Sequence, residues 1–354
     1  MRTNTSKAWV NGVRLEQLDF NDPGQRTAFE ELIQDMGYGM PYHSPRWLDL
    51  LETVLPQAKP SHLGVFELDA LVGAFPSFQI SPDGAPTVLN SLPFFGSHGG
   101  LLARPEHQGK VADLVTEHLN ARGSNELASV TIVTPLESNS SWFKDRLNPD
   151  FIDDRIAQIL EIPGSEEGLM EGYSRERRNN VRQARRKGVT VETGTTEKRI
   201  GWLKEQHKGR MEAIGGRRKP DAFFSWVLEN ATSNFVETVW AYLDGQIIGG
   251  MILFQWGSYV EYYLPAFDIE YSEYNPLPLI IHESILGSDQ AQYWNFGGTR
   301  EGQEGVHRFK RQFGADEVGY EYLVNVYDQT LLEKDPNEVL DAYPYWYVYP
   351  FDQA

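Results

Sequence analysis

The sequence has 354 residues, 50 acidic and 32 basic side chains, a formal net charge of −18, 40% hydrophobic residues and no cysteine. That length suits two domains of ordinary size, and the evenly spread apolar content excludes a disordered chain. The lack of cysteine excludes disulfides, thiolate catalysis and cysteine-ligated metal centres, and the acidity leaves any polyanion to a local basic patch.

The opening stretch "MRTNTSKAWVNGVRLEQ" has no apolar core of signal-peptide length, and no apolar run approaches the roughly 18 residues of a membrane span, so a cytoplasmic protein is expected. Asp22–Pro23 is an N-cap and first-turn pair. Phe29, Leu32, Ile33 and Met36 follow at helical spacing up to Gly37. Ser44–Pro45 repeats that start, with Trp47, Leu48, Leu51 and Val54 as the next apolar stripe.

The texture then changes to short apolar runs broken by turn residues in "HLGVFELDALVGAFPSFQISPDG", and it returns in "TVWAYLDGQIIGGMILFQWGS" about half a chain later. Leu68-Asp69-Ala70 aligns with Leu243-Asp244-Gly245 if one residue is inserted before Ile248-Gly249. Each hairpin is followed by a helical segment ("HQGKVADLVTEHLNARG"; "PLPLIIHESILGSDQ") and a short strand ("ASVTIVTP"; "AQYWNFGG"). An internal duplication of one α/β unit is the reading, with each copy a mixed sheet flanked by helices. The Pro, Gly and acidic cluster at 161–172 sets domains of 1–160 and 161–354. The aromatic tail "YPYWYVYPF", residues 343–351, could line a sugar or partner surface, but it reads rather as an edge strand packed on the second domain.

No phosphate loop, dinucleotide fingerprint, nucleophile elbow or HExxH pattern occurs, and the histidines lack metal-ligand spacing, so no metal site is expected. Three stretches remain. In "NSLPFFGSHGG", residues 90–100, glycines bracket Ser97 and His98, which are candidates for ligand hydrogen bonds or a plain tight loop. In "YSRERRNNVRQARRKG", residues 173–188, Ser174 caps a helix that Gly188 ends. Val181 and Ala184 give it a narrow apolar edge, and Arg178, Arg182, Arg185 and Arg186 share a face suited to phosphate. Lys208, Arg210, Arg217, Arg218 and Lys219 extend its charge. In "YWNFGGTREGQEGVHRFKRQFGAD", residues 293–316, Phe309 and Phe313 are spaced for a core, Lys310 between them reads as a solvated lysine, and Arg300 lies in the polar loop.

These three stretches, in this order, resemble the Fem transferases and related proteins built from two tandem GNAT-type domains, over about residues 40–325. "RERRNNVRQARRKGV" is similar to that family's arginine-rich helix, and "FGGTREGQEGVHRFKRQFGA" to its terminal motif. The resemblance implies an α/β (α+β) fold of two GNAT-like domains. It also implies transfer of an acyl group to an amine without metal or tightly bound cofactor.

By the resemblance, the donor is an acyl-CoA or an aminoacyl-tRNA, so that tRNA is a candidate partner. The acceptor is a peptidoglycan-type peptide, an envelope amino sugar or another nucleotide-linked molecule. The terminal motif puts Phe309 and Lys310 at the reaction centre, where the Lys310 ammonium steadies the developing oxyanion. Glu261, Tyr262 and Tyr263 stand as candidates for the base or for substrate binding by position alone, and Arg300 joins the substrate-binding set. Leu50 and Leu51 occupy the region where peptidoglycan-specific members carry a lysine. A non-catalytic module holding a nucleotide-linked or polyanionic ligand is the competing reading.

Overall fold

A computed structural model describes residues 8–10, 12–36, 39–94, 98–123, 125–136, 141–299 and 302–353. The chain divides into one unit of residues 1–155 with 319–354 and a second of residues 156–318.

The first unit begins with β1 (Ala8–Val10), β2 (Val13–Gln17), α1 (Pro23–Asp35) and α2 (Pro45–Val54). The expected caps form: Asp22 Oδ1 accepts from the Gly24 amide at 2.8 Å, and Ser44 Oγ accepts from the Trp47 amide at 3.1 Å. Leu50 and Leu51 are fully buried on α2. Then come β3 (Lys59–Pro60), β4 (Leu63–Glu67), β5 (Ala70–Phe75), β6 (Phe78–Ile80), β7 (Thr87–Asn90) and β8 (Leu102–Ala103). They are followed by α3 (Gln108–Gly123), β9 (Leu127–Val133), α4 (Ser141–Leu147) and β10 (Phe151–Glu161). One sheet runs β1-β2-β4-β5-β8, while β9 pairs in parallel with β7, which continues to β6 and β3. Val65, Phe75, Val111, Leu119, Val130 and Ile132 lie at the centre of this unit's core.

The second unit takes over within β10 and continues with α5 (Glu166–Gly172), α6 (Arg175–Arg186), β11 (Thr190–Thr193), α7 (Glu197–Ile214) and α8 (Asp221–Glu229). Next are β12 (Val236–Leu243), β13 (Gln246–Trp256), β14 (Tyr259–Phe267), α9 (Pro276–Leu286), β15 (Tyr293–Thr299) and α10 (Glu304–Arg311). Its strands run β11-β12-β13-β14-β15-β10, antiparallel except between β14 and β15. The core of this unit gathers Val181 and Ala184 of α6, Ile280 and Ile281 of α9, and Trp294 and Phe296 of β15. The unit leaves within β16 (Asp316–Val326), and α11 (Pro336–Ala342) follows.

The two hairpins correspond more closely than the sequence alignment has it. Leu68 (φ +55°) and Asp244 (φ +50°) hold the same place in their turns, between the pairs Glu67↔Ala70 and Leu243↔Gln246. Each hairpin then bulges at the same step, after Val65↔Gly73 and after Ala241↔Gly249. The inserted residue is therefore unnecessary, because the turn starts one position earlier in the first copy.

The C-terminal tail corrects an expectation. Residues 343–351 contain no strand and belong with the first unit. Tyr345 at φ +72° between two prolines stops extended pairing, and the tail is pinned singly instead. The Thr131 hydroxyl donates to Tyr347 O at 2.9 Å, the Phe94 amide to Tyr345 O at 2.9 Å, and the Tyr343 hydroxyl to Pro86 O at 2.6 Å. Among the described residues no helix is long and apolar enough to cross a membrane.

Candidate active site

The site begins where two parallel strands part. β14 and β15 pair through Tyr259↔Tyr293, Val260↔Trp294 and Glu261↔Asn295, and beyond that register each strand runs on without the other. Two buried polar side chains mark the parting point: Asn295 Nδ2 donates to Glu261 Oε2 at 2.7 Å. The Gly297 amide donates to Asn295 Oδ1 at 2.8 Å, which turns β15 away. Gly297 holds φ +73°, and a Cβ there would stand 3.2 Å from Glu261 Oε1. Only glycine suits that backbone next to that carboxylate.

Lys310 closes the parted end. α10 carries it inward to 5% exposure, where its Nζ donates to Gly297 O at 2.9 Å, Gly298 O at 3.0 Å and Thr299 Oγ1 at 3.0 Å. The solvated lysine expected from residue type is thus a buried one, because three oxygens at the strand end supply the partners that water would. Burial pulls its pKa down to about 8, while the Glu261 charge pushes the other way. At neutral pH the group is mainly the ammonium. The Thr299 hydroxyl has Gln158 Oε1 within 3.5 Å as another partner, so a substrate oxygen can take its place on Lys310.

Phe309 is held by a residue that the sequence reading passes over. Arg177 is 3% exposed, its guanidinium 4.5 Å from the Phe309 centroid and 4.6 Å from that of Phe313, with Nη2 donating to Gln312 Oε1 at 2.5 Å. Its burial lowers its pKa. Gly314, at φ +80°, lets the chain after α10 lie against Gly172, whose carbonyl oxygen would be 2.7 Å from a Cβ. Ser174 caps α6 by accepting from the Arg177 amide at 3.1 Å, and Gly188, at φ +83°, ends it as expected.

The four-arginine face of α6 is divided in its roles. Arg178 donates to the carbonyls of Met170 and Tyr173, and Arg185 pairs with Glu166 at 2.6 Å and Glu283 at 2.7 Å. Arg182 and Arg186 are exposed and, with Asn179, Gln183 and the ion-paired Arg185, line an open depression. The four therefore do not present a uniform phosphate wall.

On the other lip of the parted strands, Tyr263 is the extra residue of a bulge between Ile252↔Leu264 and Leu253↔Tyr262. It packs against Phe254 and Phe223, with ring centroids 4.9 and 5.7 Å away, and burial plus the Glu261 charge raise its pKa well above the usual value. Lys219, read in the sequence as part of a cationic surface run, is only 8% exposed, and its Nζ donates to the Tyr263 hydroxyl at 2.7 Å. The signal that could have found it is its place between Arg218 and a Pro-capped helix rich in Phe.

His98 belongs to the first unit, where it is fully buried against Tyr320, with ring centroids 4.6 Å apart, and burial holds it neutral. Ser97 and Arg300 lie outside the described residues. Among the described residues no group of side chains is arranged to hold a metal ion.

The sequence model of the family described as acetyltransferase (GNAT) domain matches residues 175–311, which hold α6, the parted strands and Lys310. No curated protein matches the sequence. Among solved structures, FemX is similar with a TM-score of 0.69 and 13% identity, over 90% of this chain and 98% of that one. A tandem GNAT protein from the clavulanic acid biosynthesis pathway gives 0.56 and 12%, over 89% and 98%. The C-terminal domain of a putative lysylphosphatidylglycerol synthetase from Agrobacterium fabrum gives 0.57 and 11%, over 89% and 95%. At such identities the likeness is one of fold.

Proposed function

We propose that this acyltransferase, which carries a GNAT acetyltransferase domain on a fold like those of FemX and the tandem GNAT proteins, moves an acyl or aminoacyl group from an activated carrier to an amine of a cell-envelope precursor. One observation carries the reading: a buried ammonium, Lys310, closing the end of two strands that have parted at Glu261 and Asn295. The first unit is taken as a second GNAT-like domain, and the protein as cytoplasmic.

An extended donor enters between the parted strands and places its carbonyl near Lys310. As the acceptor nitrogen bonds to the carbonyl carbon, negative charge grows on the oxygen and the ammonium offsets it in a site of low dielectric. The carrier leaves when the carbon–sulfur or carbon–oxygen bond breaks. Glu261 opposes the burial that draws Lys310 towards its neutral form, and Phe309 on Arg177 fixes the start of the lysine's reach. An acyl thioester of coenzyme A is the donor favoured by the GNAT match, with aminoacyl-tRNA as the second reading on the FemX likeness. Arg182 and Arg186 are offered to donor phosphate.

The experiment is a mass-shift assay with acetyl-CoA and, separately, alanyl-tRNA, against glucosamine, nucleotide-linked amino sugars and lysine-containing peptides. Covalent transfer that Lys310→Ala removes without unfolding the protein is the expected result. Saturable, salt-sensitive donor binding with no product for any pair favours the non-catalytic module instead.

A further inference from the structure

We propose that Tyr263 and Lys219 form a proton relay that strips the acceptor amine, Tyr263 touching the amine and Lys219 acting through it as a positioning residue. The inference deepens the acyltransferase reading of this site and rests on it.

An amine attacks only as the free base, and an ordinary alkylammonium with a pKa near ~10 is about one part in a thousand deprotonated at neutral pH. The site therefore needs a proton acceptor besides the ammonium of Lys310. Tyr263 stands two residues beyond Glu261 on the same strand, on the other lip from Lys310, and the Glu261 charge is felt by both. Its own acidity is too weak for it to act as a phenolate. In the structure Lys219 Nζ donates to the Tyr263 hydroxyl at 2.7 Å, and once Lys219 is neutral the same contact lets that hydroxyl donate back to the nitrogen lone pair.

Burial favours the neutral form of Lys219, against the rings of Phe223 and Tyr263, which favour the charged one. Burial lowers its pKa to about 7. From α7, His207 Nε2 accepts the Lys219 amide at 3.1 Å, so that nitrogen carries the lone pair, and burial and Lys219 together hold His207 down to about 4. From β14 come Tyr263 and the Glu261 charge that Tyr263 feels. From α8 comes Asp221, which is engaged by Lys204 at 3.0 Å and by Arg218 at 3.3 Å. The ring of Phe223 borders Lys219 Nζ, 5.5 Å away.

The step balances as follows. The acceptor ammonium gives a proton to the Tyr263 oxygen while the tyrosine's own proton passes to the Lys219 lone pair. The acceptor nitrogen keeps the electron pair and bonds to the carbonyl carbon; as the donor's carbon–sulfur or carbon–oxygen bond breaks, the departing carrier takes that bond's electron pair and the nitrogen's surplus proton, leaving an amide. Tyr263 ends as it began, and Lys219, now an ammonium, returns the proton to water.

Two measurements test this. First, 13Cε NMR titration of the lysines in the full chain, with Lys219 assigned through Lys219→Met, is expected to show a midpoint near 7 that moves in Tyr263→Phe; a midpoint above about 9 overturns the relay. Second, with acetyl-CoA and the amine turned over in the assay above, Lys219→Met is expected to lower kcat by roughly 10²-fold and remove its acid limb. Lys219→Arg keeps the cation but cannot release a proton, so it should be equally slow, and added methylamine should restore part of the rate to Lys219→Ala. Wild-type kcat in Lys219→Arg overturns the relay while leaving the acyltransferase reading intact. Full activity in Lys310→Ala removes that reading itself.

Discussion

The guanidinium of Arg177 lies 4.5 Å from the centroid of the Phe309 ring, so the aromatic next to Lys310 in sequence rests on a buried cation. Arg177→Lys replaces a flat, stacking group by a compact, strongly hydrated one. The expected outcome is a loss of about 1–3 kcal/mol in thermal or denaturant unfolding and a several-fold drop in kcat. Arg177→Lys with wild-type Tm and kcat would show that the stack is incidental.

Lys310→Ala removes the charge and three hydrogen bonds together. Its kcat should fall by about 10²–10³-fold, the range seen when a single oxyanion donor is lost, while far-UV circular dichroism stays that of the native protein. Lys310→Met, which fills the same space, should be as slow. A fast Lys310→Met enzyme would place the chemistry elsewhere.

Two lysines of opposite requirement give a pH profile. In the proposed reaction Lys310 must be charged, and burial sets its pKa at about 8, so the rate is expected to fall as pH rises through that value. In the proposed relay Lys219 must be neutral, and burial sets its pKa at about 7, so the rate is expected to fall as pH drops below that value. A bell for kcat/KM with its top between the two values is expected, measured in constant-ionic-strength buffers. A flat profile from pH 6 to 9 contradicts both assignments.

The same burial has a sign for stability. Between its folded pKa of about 7 and its unfolded value of about 10.4, Lys219 binds fewer protons in the folded state, so this contribution to stability rises with pH across that window. Below the window the penalty for burying the ammonium is fully present. Lys219→Met should therefore raise Tm relative to wild type at pH 6, and the gain should shrink towards pH 10. Calorimetry at the two pH values checks it; a gain that grows with pH contradicts it.

The arginine face of α6 should separate under mutation. Arg182→Ala with Arg186→Ala is expected to raise KM for a phosphate-bearing donor several-fold at low salt, an effect that fades as salt screens it. Arg185→Ala, which breaks exposed pairs with Glu166 and Glu283, should cost about 1 kcal/mol or less and leave KM unchanged. Equal KM effects from Arg185 and the Arg182/Arg186 pair would restore the uniform wall.

What the sequence makes legible here is local. Asp22, Ser44, Ser174 and Gly188 act within a turn of where they stand, and the repeated hairpins carry their turn residues with them. What it hides depends on distant partners. Helical spacing puts Arg178, Arg182, Arg185 and Arg186 together, but the acids that occupy Arg185 come from α5 and α9. Lys219 and Lys310 look like solvent lysines until a tyrosine and a glycine strand end arrive to meet them. The tail's aromatics suggest a strand, and one residue of positive φ between prolines undoes it.

The three bonds from Lys310 to Gly297, Gly298 and Thr299 make the ammonium a fastener as well as a charge. An amine has only two protons to donate, so each deprotonation releases one grip on β15 at the moment it removes the electrostatic field. Above about pH 8 the strand end is expected to loosen as the charge is lost, so that hold and field weaken together.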